Sequence, residues 1–323
     1  MMQTRDLTVT FVSPAFLGDA KQNGVWRSPP FKALLRQWWR VAVAKDFGYD
    51  WEKIRAAEGR LFGHAWLADD KDERGRKVAA RRSQVRLRLD GWGGRNEKGV
   101  APMRVNLGTS YSWFGIVDAR TQQPLRSRLA DSESTRVLKL MYPDEQSDSM
   151  DATLRLIQTF GQVGYRARIG WGSVHLEGIA ALHGNALAPF RRPLDDLLRD
   201  EWPQAIGEDR DGALVWESRE SFSEWAKALE KMAGLRKEVR VALKDGRDLR
   251  PLLGFTQDKH RAASPLRWRL FRDDAGRLHV RVFALPHRLP EAADQRFDLR
   301  DMTGAWSRIT RTLDDSWLHR IGA

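Results

Sequence analysis

The chain has 323 residues, a formal net charge of +12, 41% hydrophobic residues and no cysteine. That length accommodates two compact units rather than one, and the apolar share excludes wholesale disorder. The missing cysteine excludes disulfides, thiol catalysis and zinc ribbons, while the positive balance favours an anionic partner, nucleic acid first and an acidic protein or membrane surface next.

The opening segment MMQTRDLTVTFVSP has no apolar stretch behind a basic start, so no signal peptide is expected. No later stretch approaches the roughly 20 apolar residues of a membrane span, which leaves a cytoplasmic location and no membrane partner as the expectation. Leu7, Val9 and Phe11 alternate along an opening strand. A loop, LGDAKQNG, then leads into GVWRSPPFKALLRQWWRVAVAK, which reads as a helix with Ser28 as N-cap and Pro29 or Pro30 in its first turn. A second helix is expected over residues 51–61, ended by Gly63. The segment ADDKDERGRKVAARR lacks apolar periodicity and reads as an exposed connection, and SQVRLRLDG resumes a strand. Residues 118–148 are polar and read as an insertion or irregular loop.

MDATLRLIQTFGQVG is a further helix, followed by the glycine-rich turn GYRARIGWGS and the strand VHLEGIAAL. PFRRPLDDLLRDEWPQ and ESFSEWAKALEKMAGL read as helices. SPLRWRLFRDDAGRLHVRVFALP is a hairpin turning through Asp273, Asp274, Ala275 and Gly276, and a last helix is expected over residues 304–321. Helices and strands mix without regular strand–helix–strand alternation, so the class is α+β, with a boundary in the turn-rich stretch at 183–189.

On the first long helix, Phe31, Leu34, Leu35, Trp38, Val41 and Ala42 gather on one face. Lys32, Arg36 and Arg40 form a stripe on another, and Trp39 falls near the border. Like charges four residues apart repel, and this helix carries no acid to offset them, so an anion along the face is one explanation. Lys21 and Arg27 in the preceding loop add charge, and Trp26 offers a ring for stacking on an unpaired base. In the glycine-rich turn, Gly161, Gly164, Gly170 and Gly172 interleave with Arg166, Arg168 and Trp171. The order helix, loop, strand excludes a dinucleotide fingerprint, and no phosphate loop of the G-K-[ST] kind is present. Open backbone for close approach of a phosphodiester chain is the functional reading, and a tight turn the structural one.

Catalytic signals are sparse. No G-x-S-x-G or H-E-x-x-H occurs, and the seven histidines show no metal-ligand spacing. Asp19, in the flexible loop before the basic helix, is a candidate to help a divalent ion cut bound RNA, and His260, in the basic stretch QDKHRAASP, a candidate acid–base group. Neither compels an enzyme, and neither a cofactor nor a metal is expected.

TFVSPAFLGDAKQN, WRSPPFKALLRQWWR, LFG at residues 61–63 and RARIGWGSV at 166–174 occur in an order that resembles the RAMP superfamily, and within it the first-subunit branch of the Cmr complex, the type III-B CRISPR effector. RAASPLRWRL and VFALPHRLP are similar to that family near the C-terminus, whereas Ala33 and Gln37 depart from its usual glycine and aromatic. The resemblance implies two ferredoxin-like domains, at 1–182 and 183–323, and a non-catalytic RNA-binding role in a ribonucleoprotein. It implies crRNA, target single-stranded RNA and other RAMP subunits as partners, with Lys32, Arg36 and Arg40 as one RNA contact and Arg166, Arg168 and the Gly170–Gly172 turn as a second. A RAMP-type endoribonuclease and a basic adaptor docked on an acidic protein are the rival readings.

Overall fold

The structure is a computed structural model that describes residues 1–65, 67, 70–72, 74–98, 110–118, 120–130, 134–244, 246–257, 260–289 and 297–321. The chain begins with β1 (Met2–Phe11), α1 (Ser28–Val43), α2 (Trp51–Phe62), β2 (Arg86–Leu89), β3 (Thr135–Pro143), α3 (Ser147–Phe160) and β4 (Val174–Leu176). These four strands form one antiparallel sheet in the order β2-β3-β1-β4. The second half repeats the pattern with β5 (Val215–Ser218), α4 (Trp225–Ala242), β6 (Leu266–Arg272), β7 (Leu278–Ala284), α5 (Leu299–Asp314) and β8 (Leu318–Arg320), whose sheet runs β6-β7-β5-β8. In both sheets the strands stand in the spatial order second, third, first, fourth, with helices in the first and last crossovers. The sequence shows no such repeat at residue level.

Alternation explains the first sheet. Leu7 and Val9 of β1 and Leu138, Leu140 and Tyr142 of β3 are buried, while Asp6 and Lys139 pair on the outer face. The stretch 118–148, expected to be irregular, thus supplies an internal strand. Its alternation is intact, but polar flanks on both sides disguise it.

Helix ends follow local chemistry. Asp50 caps α2 by accepting from the amides of Glu52 and Lys53, and Gly63 ends it at φ +81°. α1 has Arg27 rather than Ser28 at the N-cap, with no side-chain cap and proline in its first turn. α5 starts five residues earlier than expected, at a capping box between Asp298 and Asp301, and ends at Asp314 ahead of β8. The helix expected around residues 190–204 reduces to one turn, Leu194–Leu197, after the short strand Arg191–Pro193.

The two halves join through the second sheet. Leu266, Trp268 and Leu270, with Val280, Val282 and Ala284 opposite, pack into one core with α4 and α5. The other face turns to the first half, where Phe283 lies 4.7 Å from Phe160 and 6.0 Å from Trp38, centroid to centroid. On that face Arg269 and Arg281 stand opposite each other, each 1% exposed. Arg269 donates to the carbonyls of Gln158 (2.8 Å) and Val174 (2.7 Å), and Arg281 to that of Thr159 (2.6 Å). Gln158 and Thr159 belong to the last turn of α3, whose carbonyls lack helical partners and form the negative end of the helix dipole. Two buried cations therefore cap one half of the molecule from the other, and Glu217 neutralises Arg281.

Candidate functional site

The basic stripe of α1 meets an acid from another element. Glu58 of α2, 4% exposed, bonds Arg36 and lies 2.9 Å from Arg40 Nε. Arg40 also stacks over the Trp202 ring at 5.0 Å. The repulsion along α1 is thus offset by protein, and no external anion is needed to explain it. Lys32 is half-buried, and burial first, the Arg36 charge second, hold its ammonium below the usual lysine range.

Burial also reassigns the aromatic candidates. Trp26 is fully buried and stacks on Phe31 at 5.6 Å; Trp39 packs edge-on against Phe62. Trp171 is buried between Phe16 and Trp113, its indole N–H donating to the Ser112 carbonyl at 3.0 Å. None of these rings presents a face to a base, so the stacking expected of Trp26 gives way to core packing. The glycines likewise answer to the protein. A Cβ at Gly172 would sit 2.0 Å from the Val163 carbonyl oxygen, and one at Gly170 2.6 Å from Leu229. Gly170 and Gly172, at φ +103° and +59°, permit close internal packing rather than approach of a phosphodiester.

What the glycine-rich turn does is position its arginines. The amide of Trp268, on the edge strand β6, donates to the Arg168 carbonyl at 3.0 Å, so the turn covers that edge. Beside it opens a cleft of about 1030 Å³ between the helices of the two halves. Among the described residues lining it are Arg166 and Arg168 from the turn, Arg236 and Arg240 from α4 and Arg267 from β6, with no Asp or Glu. Pro30, Ala33 and Gln37 are the face that α1 presents here, so the Lys32–Arg36–Arg40 stripe points elsewhere.

Arg166 holds a left-handed backbone, φ +57°, unfavourable for a side-chain-bearing residue by roughly 1–2 kcal/mol. Its guanidinium lies 5.3 Å from the ring of Phe114, which is 69% exposed, and 5.6 Å from that of Tyr165. A smaller recess of about 240 Å³ shares Pro30, Gly164 and Tyr165 with the cleft and adds Arg27 and Arg126, the latter 3.9 Å over the Tyr165 ring. The result is a continuous basic furrow with one exposed aromatic ring, Phe114, at its edge, a combination suited to an anionic chain bearing flat bases. A second cleft, of about 710 Å³ between α1, α2 and the start of α3, carries Asp46, Glu145 and Asp148 and has the opposite character.

Of the residues singled out in the sequence for RNA contact, the furrow gathers Arg27, Gly164, Arg166 and Arg168. Lys21 is exposed in the neighbouring loop, and Lys32, Arg36, Arg40, Trp26, Trp39, Trp171, Gly170 and Gly172 lie outside the furrow lining. Arg236, Arg240 and Arg267 escaped sequence reasoning, although the first two share the i, i+4 spacing noticed on α1, and Phe114 and Tyr165 had no periodic signal at all.

The catalytic candidates gain no support from their surroundings. Asp19 accepts from the amides of Lys21 (2.8 Å) and Asn23 (2.9 Å), closing its own turn. The Asn23 amide above all holds its carboxyl below the usual range. Among the described residues no group of three or more His, Asp and Glu could hold a metal ion. His260 opens the short strand His260–Ala262, and its side chain lies outside the described ones. No helix among the described residues is long and apolar enough to cross a membrane.

Comparison with known proteins bears on the same elements. The chain is 28% identical over 167 residues to the CRISPR system Cmr subunit Cmr1-1 of Pyrococcus furiosus, a match covering 46% of this chain and 40% of that protein. The fold is similar to the crystal structure of Cmr1 from Pyrococcus furiosus in its apo form, with a TM-score of 0.50, 17% identity and 96% of each chain covered. It is also similar to a chain in the cryo-EM structure of the type III-B Cmr-beta complex bound to cognate target RNA, with a TM-score of 0.51, 12% identity, and 96% and 99% coverage. The sequence profile of the RAMP superfamily matches residues 8–175, more than half of the chain, from within β1 to within β4 and including α1, α2 and α3, and the protein belongs to that superfamily.

Proposed function

We propose that this protein is a non-catalytic RNA-binding subunit of a type III CRISPR effector complex, and that its basic furrow holds single-stranded RNA. The observation that carries the reading is the lining of the 1030 Å³ cleft, five arginines with no described acid, in a chain of net charge +12. Lys and Arg on phosphates supply sequence-tolerant affinity, and the exposed ring of Phe114 supplies stacking surface for an unpaired base. Exposed sheet aromatics do not enter, since the outer face of β1 carries Thr4, Asp6, Thr8 and Thr10.

The two sheets with their crossover helices act as a pair of ferredoxin-like domains, divided near 182/183, with Val12, Phe16, Ile169 and Trp171 of the first packing into the core of the second. Guide crRNA and target RNA are the ligands, other RAMP subunits the neighbours, and the cytoplasm the compartment. Similarity to a Cmr subunit, and to a chain from a complex solved with target RNA, supports this assignment. The metal-dependent endoribonuclease alternative draws no support from Asp19, because both oxygens of its carboxylate serve its own turn.

The test is to tag the protein in its own host, purify it gently and sequence what RNA accompanies it. Short RNAs with a constant 5′ segment and variable spacers, together with other RAMP subunits, are expected. An acidic protein partner without RNA would overturn the reading in favour of a docking adaptor.

A further inference from the structure

The cleft arginines are not equivalent. Arg166 lies beside aromatic rings near the rim, whereas Arg267 is only 8% exposed and still lines the cleft. Among the described residues its Nε finds no acceptor, and the charges that act on it are those of Arg168 and Arg40, both of its own sign. Burying a cation without a counter-charge is costly, and buried guanidinium groups are ordinarily met by a carboxylate or a ring of carbonyls. Two strand positions away, Arg269 follows that rule, with four carbonyls in reach. Arg267, on the same face of the same strand, does not.

We propose that Arg267, with Arg168 beside it, forms a discrete phosphate subsite deep in the cleft, at which one phosphate group docks while the rest of the bound chain follows the rim. The assignment rests on the RNA-binding reading for its ligand class. Desolvation above all, and the Arg168 and Arg40 charges after it, push the Arg267 pKa down to about 9, so the group remains charged at neutral pH and is stabilised by an incoming anion. The same positive field reaches His287, whose imidazole is held below its usual value by burial first and by Arg267 and Arg168 as well. The geometry is robust, since Arg168 is held against β6 by the backbone bond to Trp268 and Arg267 precedes that residue in the strand. A planar guanidinium in such a pocket suits phosphate, which it meets with two parallel N–H donors.

The test compares the wild-type chain with Arg267→Met and Arg168→Gln. Thermal melting is followed as inorganic phosphate is added at constant ionic strength, and affinity is measured for a labelled ten-nucleotide RNA carrying either a 5′-hydroxyl or a 5′-phosphate. Phosphate is expected to raise the wild-type Tm and to leave Arg267→Met unmoved. Without phosphate, Arg267→Met is expected to melt at or above the wild-type temperature, because it removes an uncompensated buried charge; a purely structural arginine would give a lower Tm. RNA affinity should fall at least about tenfold in Arg267→Met, as a charge-assisted contact with two N–H donors is removed. Tighter binding of the 5′-phosphate form assigns the subsite to a chain end, and equal binding assigns it to an internal diester. Should Arg267→Met not fold, Arg168→Gln carries the same expectations at smaller amplitude. RNA that binds all three proteins alike, with no phosphate response, would overturn the subsite and leave the RNA reading standing. An Arg267-dependent phosphate response without RNA binding would keep the subsite and overturn that reading.

Discussion

The stripe on α1 and the arginines of the cleft carry the same kind of charge and meet opposite fates. Arg36 and Arg40 converge on Glu58, an acid contributed by α2 from about 20 residues further along the chain, and Arg40 adds the Trp202 ring. Arg166, Arg168 and Arg267 gather from a turn and a strand around a cleft that no described acid lines. A row of like charges on one helix is therefore no measure of an empty anion site. What decides is whether a second element brings a counter-charge, and in this fold α2 brings it to one stripe only.

That contrast breaks most visibly at Glu58. Glu58→Ala leaves two partly buried guanidinium groups facing each other and is expected to lower stability by about 3 kcal/mol, read as a fall in the urea midpoint, with RNA affinity of the folded protein unchanged. Arg166→Ala with Arg168→Ala should do the reverse. It should weaken RNA binding by about 2–3 kcal/mol in an anisotropy titration and alter stability by less than about 1 kcal/mol. Phe114→Ala sharpens the picture of the rim. Loss of one exposed stacking surface is expected to cost about 1 kcal/mol of RNA affinity, with pyrimidine and purine oligomers affected alike. Lys32→Ala, on the stripe but outside both clefts, should change affinity and stability by less than about 0.5 kcal/mol each. An effect of Lys32→Ala as large as that of the Arg166/Arg168 pair would erase the distinction between the two regions.

Elements with strong local signals are legible in the sequence. The alternation of β1, the hairpin β6–β7 with Asp273 accepting from the amides of Ala275 and Arg277, and the stop of α2 at Gly63 all follow from residues within a few positions of each other. The start of α5 is harder to place because Asp298 and Asp301 bond reciprocally ahead of the apolar stripe. β3 is hidden because its partners, β1 and β2, are distant in sequence and its flanks are polar. The candidate site is the least legible. Tryptophans and glycines suggestive of RNA contact answer instead to packing distances that only the folded chain creates, as at Gly172 against Val163. Arg267 alternates in LRWRLFR just as Arg269 does, and nothing local says that one meets carbonyls and the other a cleft.

The most direct test of the account is the salt dependence of RNA binding in two matched charge reversals, Arg168→Glu and Lys32→Glu. The slope of log affinity against log salt concentration is expected to flatten by about 0.7 for each phosphate of a single strand that the protein no longer neutralises. The account predicts that Arg168→Glu binds weakly with a flattened slope, while Lys32→Glu keeps the wild-type slope and nearly the wild-type affinity. A flattened slope in Lys32→Glu together with a wild-type slope in Arg168→Glu would place the RNA on the α1 stripe and contradict it.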